Sequence, residues 1–470
     1  MDQQINFKLL SNIRTISISK HWLRFGIITA VMVAATMISY WGSPRIMVML
    51  LVLLGGIAAL SALLSQPNLG FILIFVSGMF VPFVGPGGVN AVTAIVVLMM
   101  GLWLMEMFVI KRHFQFVRSH SMTSILMFTV VCTLSFFLGQ IPWFVFARQA
   151  PLDAQIGGYA IFLFSIGGML VAAHMIKNLQ WLKLIVWVFI GLSAVYIIGR
   201  SLGISFIVQR YYYAFTAQSM FWTWLIALTA GQVIYNNQLS QRVRGLLVAL
   251  ILLTFYVAIV QGYDWKSGWV PPLVVVITLL GIRYRHLIIF VLPLVVAGAL
   301  YIIMDLIASD EYSWGTRLDA WRIVLEISRA SPFFGTGFAN YYWYTPLFSI
   351  RGYHVSFNSH SQLIDLIVQT GYLGLIGFFW VFFELGRLSW KLSTQLSDGF
   401  ERGYTYGIFA GIIATVVAAF LGDWVLPFVY NVGMTGFRAS ILPWIFMGGV
   451  IFLEQTMIQQ AENREAGFPR

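Results

Sequence analysis

Charged residues are scarce in this sequence. Only 10% of the 470 residues are Asp, Glu, Lys or Arg, and 59% are apolar, whereas an ordinary soluble domain carries about 25% charged residues. A soluble globule could not cover its surface with so few charges. The 16% of aromatic residues is the opposite of a disordered composition. These proportions predict a polytopic membrane protein.

Several other sequence signals are missing. The single cysteine, Cys132, lies within an apolar segment and has no partner for an intramolecular disulfide. No P-loop, Rossmann fingerprint or zinc-binding pattern occurs, so the sequence predicts no nucleotide site, no metal site and no cofactor. The net charge of +11 is typical of the basic loops of membrane proteins and does not indicate a nucleic-acid partner.

Long apolar segments occur throughout the chain. A transmembrane helix needs about 20 apolar residues, and about fourteen segments meet or approach that length. We therefore predict an all-α fold in which residues 1–470 form a single integral membrane domain of about 14 (12–14) spans. The segments 69–84 and 268–282 contain prolines, so they are the candidates for broken or re-entrant helices. The predicted cores are 23–41, 46–64, 69–84, 89–110, 121–140, 157–175, 181–199, 218–236, 245–262, 268–282, 287–306, 362–385, 404–421 and 437–455.

The distribution of basic residues predicts the orientation of the spans. With an even number of spans and the N-terminus inside, 18 of the 28 Lys and Arg residues fall in cytoplasmic segments, as the positive-inside rule requires. Both termini are then cytoplasmic. Residues 1–21 are expected to form an amphipathic tail on the inner leaflet, or else a flexible basic tail. Residues 307–361 form one large external, periplasmic loop.

The external loop contains a predicted amphipathic helix at 316–330. Arg317 lies near its N-terminus, where it would face a bound anion together with the positive end of the helix dipole. Arg322 and Glu326 are spaced for an i,i+4 ion pair. The alternative is a helix on the membrane surface with solvated charges. The predicted apolar side consists of Leu318, Trp321, Leu325 and Ser328.

Further polar residues lie at the predicted external mouths of spans. His360 immediately precedes the span 362–385, and Asp365 lies about one turn inside it. A carboxylate within a membrane span suggests a functional site. Arg210 precedes an aromatic cluster, and Asp423 is a lone acid that could pair with one of the arginines. The alternatives are an interfacial anchor for His360 and a headgroup belt around Arg210.

Arginines, a histidine and carboxylates at one external face suit a particular kind of chemistry. No ATP pool exists there, so an enzyme needs an activated substrate, and a lipid-linked pyrophosphate sugar can arrive laterally from the bilayer. Arginines would stabilise the diphosphate leaving group, and a histidine would act as general base on an acceptor hydroxyl. A transporter would instead gather its charges near the bilayer midplane in broken helices.

Two short motifs follow one another within residues 316–376. The first is Arg317-Leu318-x-x-Trp321 with Pro332-x-x-Gly335-x-Gly337 behind it, and the second is His360-Ser361, nine further residues, and Gly371-Tyr372-Leu373-Gly374. In this order and spacing they resemble the signature region of the O-antigen ligase superfamily. That superfamily also includes O-antigen and exopolysaccharide polymerases and protein O-oligosaccharyltransferases.

The resemblance implies a metal-independent glycosyltransferase at the outer face of the bacterial inner membrane. It would move a glycan from an undecaprenyl-diphosphate donor to an acceptor hydroxyl, in O-antigen, capsule or exopolysaccharide assembly. By this resemblance, His360 matches the catalytic histidine, and Arg317 and, less closely, Arg210 match the diphosphate-binding arginines. Arg322 or Arg351 would assist them.

The implied partners are a lipid-linked oligosaccharide donor, a glycan, lipid or protein acceptor, the lipid bilayer, and polysaccharide export proteins. Ligase and polymerase differ only in the acceptor, which the sequence leaves open. Two alternatives from other classes also stay open. One is a membrane transporter of an anion or polysaccharide precursor, and the other is a non-catalytic scaffold of an export complex.

Overall fold

The computed structural model describes residues 60–113, 116–287 and 311–465, together with single positions outside these ranges. The chain divides into two compact units, Met1–Gln66 and Pro67–Arg470, and every helix named below belongs to the second. Within the described ranges the protein is helical and has no strand, only two isolated bridges. The all-α prediction is therefore confirmed.

The second unit is built from long helices joined by short turns. In the part of the chain that the structure describes, twelve helices exceed ten residues. They are α1 (Leu69–Phe80), α2 (Ala91–Met105), α3 (Ser121–Leu138), α4 (Leu152–Met175), α5 (Leu179–Ser201), α6 (Ser219–Tyr235), α7 (Gln241–Phe255), α8 (Lys266–Arg283), α9 (Glu311–Ser328), α10 (Gln362–Gln395), α11 (Phe400–Leu421) and α12 (Gly433–Glu465).

Nine helices among the described residues are long and apolar enough to cross a membrane: α2, α3, α4, α5, α7, α8, α10, α11 and α12, with α2 and α7 each extended by a π-helical turn. Two more predicted spans, 69–84 and 218–236, correspond to the shorter α1 and α6. The total of fourteen stays a prediction. The predicted tail 1–21 and the spans 23–41, 46–64 and 287–306 lie wholly or largely outside the described residues.

Two helices occupy the centre of the bundle. α12 is buried along its whole spanning window, whereas only 28% of the α2 window is buried. α6 is buried on every side for most of its length, as expected of a helix that is apolar all round. Small residues let α6 approach α11 closely, because a side chain at Gly231 would overlap the backbone of Gly403 and Gly407.

The connections between helices gather at two ends of the bundle. At the end that holds His360, Gln362 accepts a hydrogen bond from the backbone of Leu426 (2.7 Å), and Asn340 donates to the carbonyl of Gly139 (2.8 Å). At the opposite end, which holds Lys391, Gln455 donates to the carbonyl of Arg118 (2.7 Å). The division of the connections between two ends agrees with predicted spans that cross the membrane in alternating directions. The two regions are called below the His360 end and the Lys391 end.

Helix α10 is broken, at a position that the sequence analysis did not predict. Gly371 has φ 71° and ψ −176°, outside any helical conformation, so the predicted span 362–385 is two helical segments. The break lies about 14 Å along the helix from Gln362 at a rise of 1.5 Å per residue, about half the thickness of a bilayer core. The prolines of α8, which suggested a break at 268–282, lie inside an unbroken helix.

The break in α10 is filled by backbone from the segment 332–337. The amides of Thr336 and Gly337 donate to the carbonyls of Val368 (2.7 Å) and Gln369 (3.2 Å) before the break. After it, the amides of Tyr372 and Leu373 donate to the carbonyls of Pro332 (2.8 Å) and Phe333 (3.2 Å). These bonds matter because an unpaired backbone group at membrane depth costs several kcal/mol.

Two glycines make this interlock possible. A side chain at Gly335 would overlap the backbone of Gln369 and Thr370, and one at Gly371 would overlap the backbone of Phe333. Both glycines also have positive φ, at 72° and 71°, a region that costs other residues about 1–2 kcal/mol. The motif glycines therefore have a structural role.

We expect Gly371→Ala to destabilise the protein by at least about 2 kcal/mol, since it combines a left-handed conformation with a backbone overlap. Gly386→Ala on the same helix is the matched control, because its Cβ would meet only Ile412, at 3.8 Å. The control should be neutral or slightly stabilising. The measurement is the thermal unfolding midpoint of both variants in detergent, and equal midpoints would contradict the proposed role of the interlock.

A buried arginine fixes the short helix α1. Arg438, near the start of α12, is 0% exposed and forms no ion pair with any described residue. Its guanidinium donates to the carbonyls of Val81 (2.6 Å) and Phe83, just beyond the end of α1, and lies 4.5 Å from the ring centre of Tyr212. The negative end of the α1 dipole and the aromatic ring stabilise the buried charge.

Arg438→Gln should lower the stability of the folded protein by about 3 kcal/mol, because it removes the charge and leaves buried carbonyls without donors. The exposed Arg242 supplies the comparison, since Arg242→Gln removes the same charge from the surface of α7. Thermal unfolding midpoints measure both effects. If Arg438→Gln lowers the unfolding midpoint no more than Arg242→Gln does, the stabilising role of the buried Arg438 would be refuted.

Candidate functional site

Helix α9 lies against α10 and brings the predicted external loop onto the bundle. Its buried face is formed by Ala320, Val324, Ile327 and Ser328, and Leu318 is 55% exposed. Of the predicted apolar side, Ser328 is buried, Trp321 and Leu325 are half-buried, and only Leu318 was wrong. The error arose because the sequence pattern did not indicate which side α10 would cover.

The predicted external loop 307–361 does not stay outside the bundle. Its central part enters the protein: residues 335–341 are buried, and Tyr341 and Tyr344 form a small apolar cluster with Val324 and Val368. The loop then returns to the His360 end. Three chain segments therefore converge there: α9, the returning loop, and the start of α10.

His360 is held in an unusual backbone conformation at the mouth of α10. Its φ is +50°, which costs a residue with a side chain about 1–2 kcal/mol. The preceding residue anchors it: Trp321 Nε1 on α9 donates to the carbonyl of Ser359 (2.7 Å), and Ser361 N donates to Ser359 Oγ (3.0 Å). Strained residues of this kind cluster at functional sites. The prediction that His360 lies at a helix mouth is confirmed.

Asp365 is buried one turn below His360. Its Oδ1 accepts hydrogen bonds from the hydroxyls of Tyr341 (2.6 Å) and Ser359 (2.7 Å). Burial and the nearby Asp365 carboxyl raise the pKa of Tyr341 well above its ordinary value, so Tyr341 stays protonated and donates. Asp365 therefore ties the returning loop to the residue before His360.

Asp423 lies in the turn after α11 and adds a second carboxyl near His360 and Asp365. It is buried, and accepts hydrogen bonds from the amide of Phe428 (2.9 Å) and from Asn431 Nδ2 (2.7 Å). Burial raises the pKa of its carboxyl. Asp423 and Asp365 lie close enough to interact electrostatically. The suggested pairing with an arginine is not observed among the described residues; the basic residue that Asp423 faces is His360.

His360 lies between groups of opposite charge. His360 keeps an exposed surface, but the surrounding protein atoms partly desolvate its imidazole and lower its pKa below 6.5; the neighbouring Asp423 raises that pKa, and the neighbouring Arg317 lowers it further. The net direction is down, so His360 is neutral at pH 7 and can accept a proton. The structure thus brings together three of the predicted residues, His360, Arg317 and Asp423, with Asp365 directly below.

The other predicted arginines are engaged or lie elsewhere. Arg351 forms an ion pair with Asp319 on α9 (3.2 Å), which limits its use for an anion. Arg322 is exposed and does not pair with Glu326, which instead binds Arg329 (2.8 Å). Arg210 lies 4.9 Å above the ring of Phe206, and among the described residues it is not one of the charged groups that act on His360.

Four buried polar atoms, three on residues within five positions of His360 and one beside Asp423, have no hydrogen-bond partner within the described part of the chain. They are Asn358 Oδ1, Gln362 Nε2, Asp365 Oδ2 and Trp424 Nε1. Others occur elsewhere in the protein, and these four include both donors and acceptors. An unpaired buried polar group costs about 1–3 kcal/mol and calls for an explanation such as a bound polar ligand.

Some residues that build the site are not marked by the sequence pattern. Tyr341, Ser359 and Asn431 supply hydrogen bonds to the two carboxyls. Ser359 adjoins His360, but nothing in the local sequence marks Tyr341 or Asn431, which are brought in by the fold. Gly335 and Gly371 stood in the motifs, and isolated glycines within an apolar segment are themselves a signal of an irregular backbone.

Comparisons of the chain with protein-family models and with curated proteins find no match. The family resemblance therefore rests on the motif residues of 316–376 alone. The groups that surround His360 and their charges are the remaining indication of its chemistry.

We expect the two charged neighbours to move the titration of His360 in opposite directions. Arg317→Gln should raise the pKa of His360 and Asp423→Asn should lower it, since the first removes a positive charge and the second a negative one. The measurement is the pH dependence of carbethoxylation of His360, a reaction of the neutral imidazole, followed by mass spectrometry. His113, at the opposite end of the bundle, is the internal control. Shifts of the same sign in both variants would contradict this geometry.

Proposed function

We propose that the protein is a membrane glycosyltransferase of the O-antigen ligase and polymerase type. It transfers a glycan from an undecaprenyl-diphosphate donor to an acceptor hydroxyl at the outer face of the bacterial inner membrane. One observation carries the proposal: a strained histidine with a lowered pKa sits beside Arg317 and Asp423 at the mouth of a membrane helix. The motif resemblance over residues 316–376 supports it independently.

The arrangement provides the groups that inverting glycosyl transfer requires. Neutral His360 accepts the proton of the acceptor hydroxyl, and the oxygen forms a bond to the anomeric carbon. The bond from that carbon to the diphosphate breaks, and the diphosphate leaves with the electron pair. Arg317 stabilises the charge that develops on it, and Asp423 stabilises the imidazolium. The mechanism calls on no metal or cofactor.

The buried polar atoms on residues next to His360 and Asp423 are consistent with a hydroxyl-rich ligand. Sugar hydroxyls both donate and accept, so they can satisfy Asn358 Oδ1 and Asp365 Oδ2 as acceptors and Gln362 Nε2 and Trp424 Nε1 as donors. An inorganic anion could satisfy only the donors. This mixture favours a glycan over a simple anion as the substrate.

The break in α10 bears on the transporter alternative. In transporters, carbonyls freed by a broken helix coordinate the transported ion. Here the carbonyls of Val368 and Gln369 accept hydrogen bonds from Thr336 and Gly337, so the protein's own backbone occupies them. The charged groups lie at the mouth of α10 and not at its break, which supports transfer over transport.

The location and partners follow from the same proposal. The Lys391 end would face the cytoplasm, with both termini on that side, and the His360 end would face the periplasm. The acceptor, whether a lipid, a protein or another lipid-linked glycan, separates a ligase from a polymerase. Export proteins would receive the product.

The decisive experiment is the surface-glycan profile of the source organism carrying His360→Ala at normal protein level. We expect a loss of transfer of about 100-fold or more, the usual effect of removing a general base. Single repeats in place of long chains would identify a polymerase, and long chains retained on the lipid carrier would identify a ligase. An unchanged profile would refute the catalytic role and favour a transporter or scaffold.

Matched variants in the same loop sharpen this test. His354→Ala removes an exposed histidine of the same loop and should leave the profile unchanged. Arg317→Ala should reduce transfer strongly and Arg317→Lys less, because lysine keeps the charge but loses the bidentate geometry. Full activity in Arg317→Ala would remove the leaving-group argument.

A further inference from the structure

A second polar site lies at the Lys391 end, remote from His360. A cleft of about 550 Å³ opens between the ends of α10 and α12 and the start of α3. This volume is in the range of small-molecule sites. About 30 Å of helix, at 1.5 Å per residue, separate Lys391 from the break in α10, so the cleft belongs to the opposite end of the bundle.

Charges of both signs line this cleft. Arg118 and Lys391 provide two cations, and neither forms an ion pair within the described part of the chain. Glu454 on α12 provides one carboxylate, and its Oε2 is buried without a hydrogen-bond partner among the described residues. A buried carboxylate oxygen without a donor is costly. A bound group with N–H donors and a positive charge would relieve that cost.

The floor of the cleft is apolar. Leu392, Met457 and Ile458 line it beside the charged groups. The cleft also lies at the ends of spanning helices, at the level where lipid headgroups meet a membrane protein. Basic pockets between helices at this level bind phospholipid headgroups.

We propose that this cleft binds the headgroup of a zwitterionic aminophospholipid, phosphatidylethanolamine. The phosphate lies between Arg118 and Lys391, and the primary ammonium donates to Glu454. The first part of an acyl chain rests on Met457 and Ile458. The headgroup of phosphatidylglycerol can donate hydroxyl hydrogen bonds to Glu454 but brings no positive charge to balance the carboxylate, and a choline headgroup brings the charge but has no N–H to donate.

The test is native mass spectrometry of the full chain, purified and delipidated in detergent, then titrated with three lipids of identical acyl chains. Phosphatidylethanolamine should bind at least about fivefold more tightly than phosphatidylcholine or phosphatidylglycerol. Soluble phosphoethanolamine at the same concentration should not displace it, because the apolar floor contributes to binding. Equal affinity for the three lipids, or displacement by the soluble headgroup, would overturn the proposal.

Two variants separate the roles of the charged groups. Glu454→Gln should abolish the preference for phosphatidylethanolamine while phosphatidylglycerol still binds, and Arg118→Gln with Lys391→Gln should weaken both lipids. Arg387→Gln is the control: it removes a basic residue one turn before Lys391 whose guanidinium is held by Glu384 (2.7 Å) and which lines a different groove. A preference that survives Glu454→Gln would refute the ammonium contact.

Discussion

The protein depends on one backbone constraint, the interlock between Gly335 and Gly371. A helix interrupted halfway through a membrane exposes carbonyls and amides that lipid cannot satisfy. In this chain a second stretch of backbone, 332–337, supplies four hydrogen bonds to the groups on either side of the break. It can do so only because neither glycine has a side chain at the point of contact. The interruption and the loop that fills it therefore form one structural unit.

This unit sets the position of the site. Because 332–337 is fixed inside α10, the chain that follows must pass through the bundle, and it carries Tyr341 to within 2.6 Å of Asp365. The same Asp365 bonds to Ser359, directly before His360. Helix α9, just before the interlock, holds Ser359 from the other side through Trp321. The distance between Arg317 on α9 and His360, just before α10, is thus determined by packing deep within the bundle.

The sequence predicts those features that depend on local composition. Long apolar segments gave the helices, and the position of His360 at a helix mouth followed from its place before such a segment. The break at Gly371 was missed because a single glycine barely changes the hydropathy of a span. The buried face of α9 was misplaced at Leu318 because only tertiary contact decides it. Tyr341 and Asn431 could not be predicted, since their role comes from the approach of distant segments.

The local free-energy costs around His360 distinguish a functional site from a histidine that only anchors a helix at the membrane interface. A histidine that merely anchors a helix at an interface needs neither a positive φ nor an arginine that opposes its protonation. At His360 the strained backbone costs about 1–2 kcal/mol, and each unpaired polar atom nearby costs about 1–3 kcal/mol. Folded proteins concentrate such violations of local rules where function requires them. The same reasoning applies to Glu454 at the other end, where an unpaired carboxylate oxygen belongs to a residue that lines one cleft with two cations.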